Sequence, residues 1–357
     1  MLKDDFKVLG VMSGTSLDGV DIAYIHFYKN GNLWNFKILV ADTIEYNSEW
    51  RDKFNRAFKF DKENLKKINL EYTFFLADLI NKFILKNEIN ELDAICSHGH
   101  TILHQPENGI TLQIGNLKEL STITGKTVVC DFRVQDVELG GQGAPLVPIG
   151  DELLFNNYDY CLNLGGFSNV SFNENKKRMA YDICPVNIVL NHYAQSLGFE
   201  FDKDGKLAQR GKVNNELLNL LNEITFYQAS YPKSLGKEFI INKIFPTISQ
   251  FSISNYDILR TFTEHIAIQI SSKIKEKSTV LMTGGGAYNQ FLIELLRLKK
   301  PSVNWIMPSD NLIQFKEALI FGLIGILRLR NEINVLASVT GASKDHSSGK
   351  IFYNNIL

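Results

Sequence analysis

Gly14-Thr15-Ser16-Leu17-Asp18-Gly19 lies between two apolar runs, Val8-Leu9-Gly10-Val11-Met12 and Val20-Asp21-Ile22-Ala23-Tyr24-Ile25. The order reads as strand, tight turn, strand. Glycines at both ends permit positive φ and leave room for a bulky group against the backbone. The turn carries two hydroxyls (Thr15, Ser16), one carboxylate (Asp18) and several backbone N–H groups. That set suits a nucleotide phosphate tail with its magnesium ion, and equally an ordinary hairpin. Gly14 and Gly19 have Walker-loop separation, but Val20 and Asp21 stand where Lys and Ser/Thr belong, and a strand follows instead of a helix. The third glycine of a dinucleotide fingerprint is missing as well.

Working outward, the first 45 residues read as three strands, Val8–Met12, Val20–Tyr28 and Trp34–Ile44. Helical periodicity follows over Glu49–Phe58 and Asn64–Leu85, then a buried strand at Ala94–Ser97. The second half begins alike. Tyr160-Cys161-Leu162-Asn163-Leu164 is a strand, Gly165-Gly166-Phe167-Ser168-Asn169 a turn, and Val170–Phe172 and Met179–Asp182 are further strands. Helices dominate afterwards, interrupted by strand Thr279–Met282, which runs into Thr283-Gly284-Gly285-Gly286. A last helix covers Asn311–Leu329. One strand–glycine turn–strand unit in each half predicts a duplicated α/β fold: two similar domains with a nucleotide held in the cleft between them. The first domain is expected over 1–135 plus 342–357 and the second over 136–341. The chain crossings, and a hinge for closure, are expected near Asp131–Gly143 and Val339–Ala342.

Composition narrows the function. Of the 357 residues 45% are hydrophobic and 22% charged, values of an ordinary globular protein. A net charge of −1 offers no basic excess for nucleic acid or a membrane surface. No apolar run approaches the roughly 18 residues of a membrane span. The charged start lacks a signal-peptide core. Cys96, Cys130, Cys161 and Cys184 are scattered in apolar surroundings, which predicts reduced thiols and a cytoplasmic location.

Nine motifs in order carry a resemblance. They are Met12-Ser13-Gly14-Thr15-Ser16-Leu17-Asp18-Gly19, Ser97-His98-Gly99-His100-Thr101, Thr111-Leu112-Gln113-Ile114-Gly115, Asp131-Phe132-Arg133 and Gly140-Gly141-Gln142-Gly143-Ala144-Pro145-Leu146-Val147-Pro148. Then come Leu162-Asn163-Leu164-Gly165-Gly166, Pro232-Lys233-Ser234-Leu235-Gly236-Lys237-Glu238, Thr283-Gly284-Gly285-Gly286-Ala287-Tyr288-Asn289 and Val339-Thr340-Gly341-Ala342. With them the chain resembles the anhydro-N-acetylmuramic acid kinases of bacterial cell-wall recycling, within the sugar kinase–Hsp70–actin superfold. The resemblance implies two actin-like domains, ATP and Mg2+ as cofactors, a small anhydro-sugar as substrate and a cytoplasmic enzyme; relatives are commonly homodimers. The family usually reads Asp-Thr-Gly-Pro-Gly-Asn where this chain has Asp182-Ile183-Cys184-Pro185-Val186-Asn187. Asn191 replaces a usual acid, His100 a usual Gln and Asn116 a usual Asp. These departures are expected to reshape one wall of the sugar pocket.

Roles follow residue by residue, each beside a plainer alternative. In the resemblance Asp182 takes a proton from the water that opens the anhydro bridge; otherwise it N-caps the helix near Pro185. Asp18 holds magnesium, or stabilises its turn. Gly14, Thr15, Ser16, Leu17, Asp18 and Gly19 meet the phosphates from the first domain; Gly165, Gly166 and Asn169 meet them from the second. Gly284, Gly285, Gly286 and Asn289 meet the ribose and α-phosphate, or pack a strand tightly on a helix. Arg133 suits a sugar carboxylate or a charge developing near C1, or a salt bridge to Asp131 or Asp136. Glu317 faces the sugar, or solvent. The sugar is expected to touch His98, Gly99, His100, Arg133, Gln142, Gly143, Pro145 and Asn187. His98, His100 and His104 also admit a zinc reading, but no acid or cysteine completes a set at ligand spacing, and His98 and His100 are expected on one face of a strand. Three other classes stay open: a metal-dependent hydrolase, an actin- or chaperone-like nucleotide switch, and a kinase relative that binds without turnover.

Overall fold

The computed structural model describes residues 3–14 and 17–354. Two compact units emerge, one made of 1–155 with 315–357 and the other of 156–314. In the first, β1 (Asp5–Ser13), β2 (Gly19–Asn30) and β3 (Leu33–Glu45) form an antiparallel meander. Helices α1 (Ser48–Ala57) and α2 (Lys62–Lys86) follow, capped by the side chains of Asn47 and Asp61. Strand β4 (Ala94–Gln105) returns parallel to β1, with Gly10 level with Cys96. β5 (Ile110–Ile114) pairs with the far end of β4, α3 (Glu119–Thr124) crosses over, and β6 (Val128–Cys130) lies parallel beside β4. Two short helices, α4 (Val134–Glu138) and α5 (Pro148–Leu154), complete this part of the unit.

The second unit repeats the plan. β7 (Tyr160–Leu164), β8 (Phe167–Glu174) and β9 (Lys177–Pro185) form its meander, and α6 (Asn187–Gln195) and α7 (Asn215–Asn222) come next. Next the chain makes α8 (Lys237–Phe239), a π-helical turn over Ile240–Ile244 and α9 (Phe245–Ile248), the last with Pro246 in its first turn. The long α10 (Asn255–Lys273) precedes β10 (Thr279–Thr283), which runs parallel to β7. Then α11 (Gln290–Lys299) leads to β11 (Asn304–Ile306), parallel to β10. Strand order is β3-β2-β1-β4-β6 in one sheet and β9-β8-β7-β10-β11 in the other, with matching directions throughout. The duplication read from the two glycine turns is therefore present strand for strand.

The return to the first unit runs along α12 (Asp310–Leu329), which departs from helical geometry at Phe315 (φ −110°, ψ 16°), where the chain passes from one unit to the other. α13 (Ala337–Thr340) and β12 (Lys350–Phe352), antiparallel to β6, close the chain. The division falls at 155/156 and 314/315, not at 135/136 and 341/342. The reason is packing: Gly141 and Gly143 wrap the buried Asp136, Gln142 N–H donates to the Thr340 carbonyl (2.8 Å), and α5 lies against β3. The two motifs expected at the crossings are thus bonded to one another inside the first unit.

In that unit the central strands β1, β2 and β4 are largely buried, while β3 is mostly exposed or half-buried. Leu9, Val11, Val20 and Ile22 pack with Trp50, Phe54, Tyr72, Leu76 and Ile80 of α1 and α2. On the other face a Cβ on Gly10 would collide with the Ala318 carbonyl of α12, and one on Gly325 with Cys96. Only glycine lets the helix approach so closely. A separate core fills the second unit, where Leu162, Leu164, Val170 and Ile183 meet Leu259, Phe262 and Ile266. Among the described residues no helix is long and apolar enough to cross a membrane. Gly10→Ala is expected to destabilise the protein by about 1–3 kcal/mol, since neither backbone can retreat; thermal unfolding should show a melting temperature lower by several degrees.

Candidate active site

The first unit gathers charge behind its glycine hairpin. Leu17 adopts φ 60°, and its N–H reaches the Gly14 carbonyl at 3.4 Å. Asp18 is exposed, and its Oδ1 accepts the Gly19 N–H at 3.0 Å, so the turn-stabilising role is present. Thr15 and Ser16 lie outside the described residues. Asp21 sits two residues further along β2, with the Thr43 hydroxyl on its Oδ1 at 2.6 Å. Burial, and then the nearby charges of Asp18 and Glu317, push the Asp21 carboxyl up to about 6. Asp21 was missed in the sequence because a single carboxylate inside an apolar run reads as a solvent-facing strand position. The signal was there: β2 is flanked by strands on both sides.

Glu317 occupies the first turn of α12 after its irregular residue. It is open to water yet crowded by protein atoms, and that crowding raises its carboxyl; Arg133 and Lys316 pull the other way, and Asp18 adds to the rise. Its neighbour Lys316 is buried in an ion pair with Asp151 (2.7 Å). Glu317 thus interacts electrostatically with Asp18, Asp21 and Arg133 from an exposed position on its helix.

Arg133 is fixed in place. Its Nε donates to His98 Nε2 at 2.7 Å and its Nη1 to the Gly143 carbonyl at 2.6 Å. Asp131 pairs instead with Lys350 (2.6 Å), and Asp136 accepts the Gly143 N–H (2.7 Å) and the Thr340 hydroxyl (2.7 Å). Burial brings the guanidinium down to about 10, so it keeps its charge at neutral pH. His98 Nδ1 lies 2.9 Å from the Gly99 carbonyl, which makes Nδ1 the donor and leaves Nε2 to accept from Arg133. Burial and the adjacent guanidinium hold His98 well below the usual histidine range. The structure thus brings together Arg133, His98, Gly99 and Gly143, and gives His98 the task of orienting the guanidinium. Gln142 and Pro145 lie exposed on the same loop.

His100 does not join them. Gly99 has φ 74°, and the β1–β4 register slips between Val11/Ser97 and Ser13/His100. This bulge inserts one residue, so His98 packs on Phe321 of α12 while His100 stacks on Phe54 of α1 (3.9 Å, 20°). The shared face expected for the two histidines is therefore absent. Among the described residues no cluster of His, Cys, Asp or Glu is arranged to hold a metal by itself.

The second unit carries the other half of the predicted residues. Asp182 lies on β9 opposite Asn169 of β8. Its Oδ2 accepts the Leu235 N–H at 2.8 Å, its own N–H donates to the Lys233 carbonyl at 3.1 Å, and Oδ1 is left for another proton. Burial raises the carboxyl, partly offset by that N–H. The residue at the N-cap of α6 is Val186, so the capping alternative for Asp182 is excluded. Ile183, Cys184 and Val186, expected to reshape a pocket wall, are buried in the core of this unit.

Gly165 and Gly166 receive the N–H groups of Val186, Asn187 and Ile188 on their carbonyls, which docks the turn onto the start of α6. Beside it lies a cleft of about 470 Å³, lined among others by Asn187, Leu190, Asn191, Phe201, Gly285 and Tyr288. Gly284 (φ 80°) and Gly286 also serve close packing, since a Cβ on either would press on Leu164. Gly285 opens to the cleft, where a Cβ would meet only Asn187 Nδ2 at 3.8 Å. Asn289, expected to meet the nucleotide, caps α11 by accepting the Leu292 N–H at 3.0 Å while also lining the cleft. Asn187, expected at the sugar, shares this wall. Phe201, Asp202, Lys203 and Asp204 complete it and had no sequence signal beyond the turn-like Asp204-Gly205. Small residues beside an aromatic pair suit a flat base with its ribose.

A family model described as anhydro-N-acetylmuramic acid kinase matches residues 6–354. The protein of that name from Mannheimia succiniciproducens is 34% identical over 373 residues, covering 96% of this chain and 98% of its own. Its namesake from Haemophilus influenzae is 32% identical over 376 residues, covering 96% and 97%. Among solved structures, the activator of the 2-hydroxyisocaproyl-CoA dehydratase from Clostridium difficile with bound ADPNP aligns with a TM-score of 0.41 at 13% identity, over 91% of this chain and 96% of its own. A ROK hexokinase from Thermus thermophilus aligns with a TM-score of 0.37 at 13% identity, over 89% and 98%. A model spanning nearly the whole sequence, and relatives above 30% identity from end to end, establish that this chain belongs to the anhydro-N-acetylmuramic acid kinase family.

Proposed function

We propose that this chain uses ATP to convert 1,6-anhydro-N-acetylmuramic acid and water into N-acetylmuramic acid 6-phosphate and ADP, in the cytoplasmic recycling of cell-wall amino sugars. The observation that carries this reading is Asp182: a half-buried carboxyl, raised by burial, with one oxygen held by the Leu235 N–H and the other free to take a proton. Water gives that proton to Asp182 as its oxygen bonds to C1. The C1–O6 bond breaks, O6 takes the γ-phosphoryl group, and ADP leaves. Arg133, held by His98 and Gly143, offers its remaining N–H groups to the sugar carboxylate or to charge developing near C1. Glu317, raised by crowding, contacts the sugar hydroxyls.

The second unit's cleft takes the adenosine, with Gly285 allowing close approach and Phe201 and Tyr288 beside the base. Magnesium fits the first unit's donor set. This ion keeps several waters and is bound by one or two carboxylates together with phosphates, so no closed protein cage is required. Asp18, with Oδ1 on Gly19 N–H, is the exposed carboxylate that would hold it. Bound there, the ion would supply charge neutralisation for the phosphate tail. Asp21, raised to about 6, spends part of its population protonated near neutrality and so limits repulsion beside Asp18 and Glu317. The burial of Ile183, Cys184 and Val186 favours turnover over a silent binding relative, because the departures pack the core behind the base.

Asp182→Asn is expected to lower kcat about 10²–10⁴-fold while leaving ATP affinity nearly unchanged. Since only the ionised carboxylate is a base, the acid limb of kcat/KM should fall above the ordinary aspartate range of about 3.9, with activity lost as pH drops through it. Asp18→Asn should instead raise the magnesium concentration needed for half-maximal rate; identical defects in the two variants would merge the assigned roles. Reaction in oxygen-18 water checks the chemistry by mass spectrometry. One labelled oxygen at C1 is expected in the phosphorylated sugar, and a product that keeps its anhydro bridge would make the chain an ordinary sugar kinase.

A further inference from the structure

One buried polar chain takes no part in the reaction described above. Ser13, the last residue of β1 before the glycine hairpin, places its Oγ 2.8 Å from His100 Nδ1 and 2.6 Å from the Tyr46 hydroxyl. The Tyr46 hydroxyl lies 2.5 Å from that of Tyr72. All four side chains are buried. Burial brings His100 down to about 4, raises Tyr72 to about 12 and pushes Tyr46 further still, so the chain stays neutral across the working pH range. A consistent set of protons runs from Tyr72 to Tyr46, from Tyr46 to Ser13 and from Ser13 to His100 Nδ1. The reverse order would leave the Tyr72 proton without an acceptor in the chain. Aromatic packing holds the donors in line: His100 stacks on Phe54, and Tyr46 meets the same ring edge-on at 5.0 Å.

Tyr46 also bonds through its backbone. Its N–H donates to the Asp18 carbonyl at 3.2 Å, directly after Glu45 pairs with Gly19. A single residue therefore grips both stems of the hairpin, Ser13 by its hydroxyl and Asp18 by its N–H. Asp18 is the residue assigned above to magnesium. Binding is stronger when the residues that hold a ligand are already in position, because no ordering cost is then paid on binding.

We propose that Tyr46 is a positioning residue for the nucleotide: its bonds to Ser13 and Asp18, backed by Tyr72 and His100, hold those two residues in place on either side of the phosphate site. This rests on the reading of that hairpin as the ATP phosphate site. Calorimetric titration with the magnesium complex of a non-hydrolysable ATP analogue tests it, alongside steady-state kinetics. Tyr46→Phe keeps the ring and removes the hydroxyl. It is expected to raise the analogue Kd and the KM for magnesium-ATP about tenfold, while the KM for the anhydro-sugar stays within about twofold. Tyr72→Phe, one bond further out, should move the same two quantities less, and it carries the test if the Tyr46 variant does not fold. Ser121→Ala removes a buried hydroxyl of α3 that bonds the Lys126 (2.7 Å) and Phe352 (3.2 Å) carbonyls and not the four side chains above. It should lower the melting temperature without changing the Kd, which separates positioning from general stability. Unchanged analogue affinity in both tyrosine variants, or an equal rise in both KM values, would overturn the proposal. Failure of the unaltered protein to bind the analogue would instead remove the ATP reading of the hairpin, and the proposal with it.

Discussion

The contact between α12 and the centre of the first sheet constrains everything around the candidate site. At Gly10 the strand backbone meets the Ala318 carbonyl so closely that no side chain fits between them. Glu317 is the residue before Ala318, so that contact also sets where Glu317 stands. It falls within electrostatic range of Asp18 and Asp21, from the β1–β2 hairpin and β2, and of Arg133, from the segment after β6. Gly322, close to Val8, Ile25 and Phe27, and Gly325, close to Cys96, continue the same seam along the helix. A larger residue anywhere on it would lift the helix and move the carboxylate.

The charges collected there are tuned by one another. Arg133 stays cationic despite burial because Glu317 and Asp136 offset part of the desolvation. Its orientation comes from neutral partners, His98 Nε2 and the Gly143 carbonyl, which leave its other N–H groups available. An anionic partner at either place would have satisfied the guanidinium internally. In the second unit the same logic applies with opposite sign. Asp182 is given a single backbone donor, enough to fix it but not enough to hold its carboxyl low.

Glycine turns in the two units are used differently. The hairpin between β1 and β2 is braced from outside by Tyr46, whose bonds reach both of its stems. The turn between β7 and β8 is braced by the start of α6, whose first N–H groups end on Gly165 and Gly166. Both devices brace a turn through bonds to the residues that flank it. They also explain why polar groups near these turns, Ser13 in one and Asn187 in the other, are spent on the protein itself.

Much of this was legible in the sequence. Two strand–glycine–strand units dictated two meanders, because period-two apolar patterns and φ-permissive turns are local properties. Helices α1, α2 and α12 were equally legible from their periodicity. Asp182, Asp18, Arg133 and the glycines were marked as candidates by motif order. Other features depended on contacts between distant segments. The unit boundary lies beyond 135 because Asp136 and Thr340, far apart in the chain, bond to one another. The faces of His98 and His100 were decided by a bulge at Gly99, a single-residue slip that the amino-acid pattern does not encode. Asp21 joined the charged group only through the Thr43 hydroxyl of β3 and the nearby charge of Glu317 on α12. Short β11 and β12 owe their pairing to neighbours already in place. The sequence by itself determined the elements and the chemistry available to them; tertiary structure alone decided which groups meet, because burial and through-space charge depend on packing between segments and not on spacing along the chain.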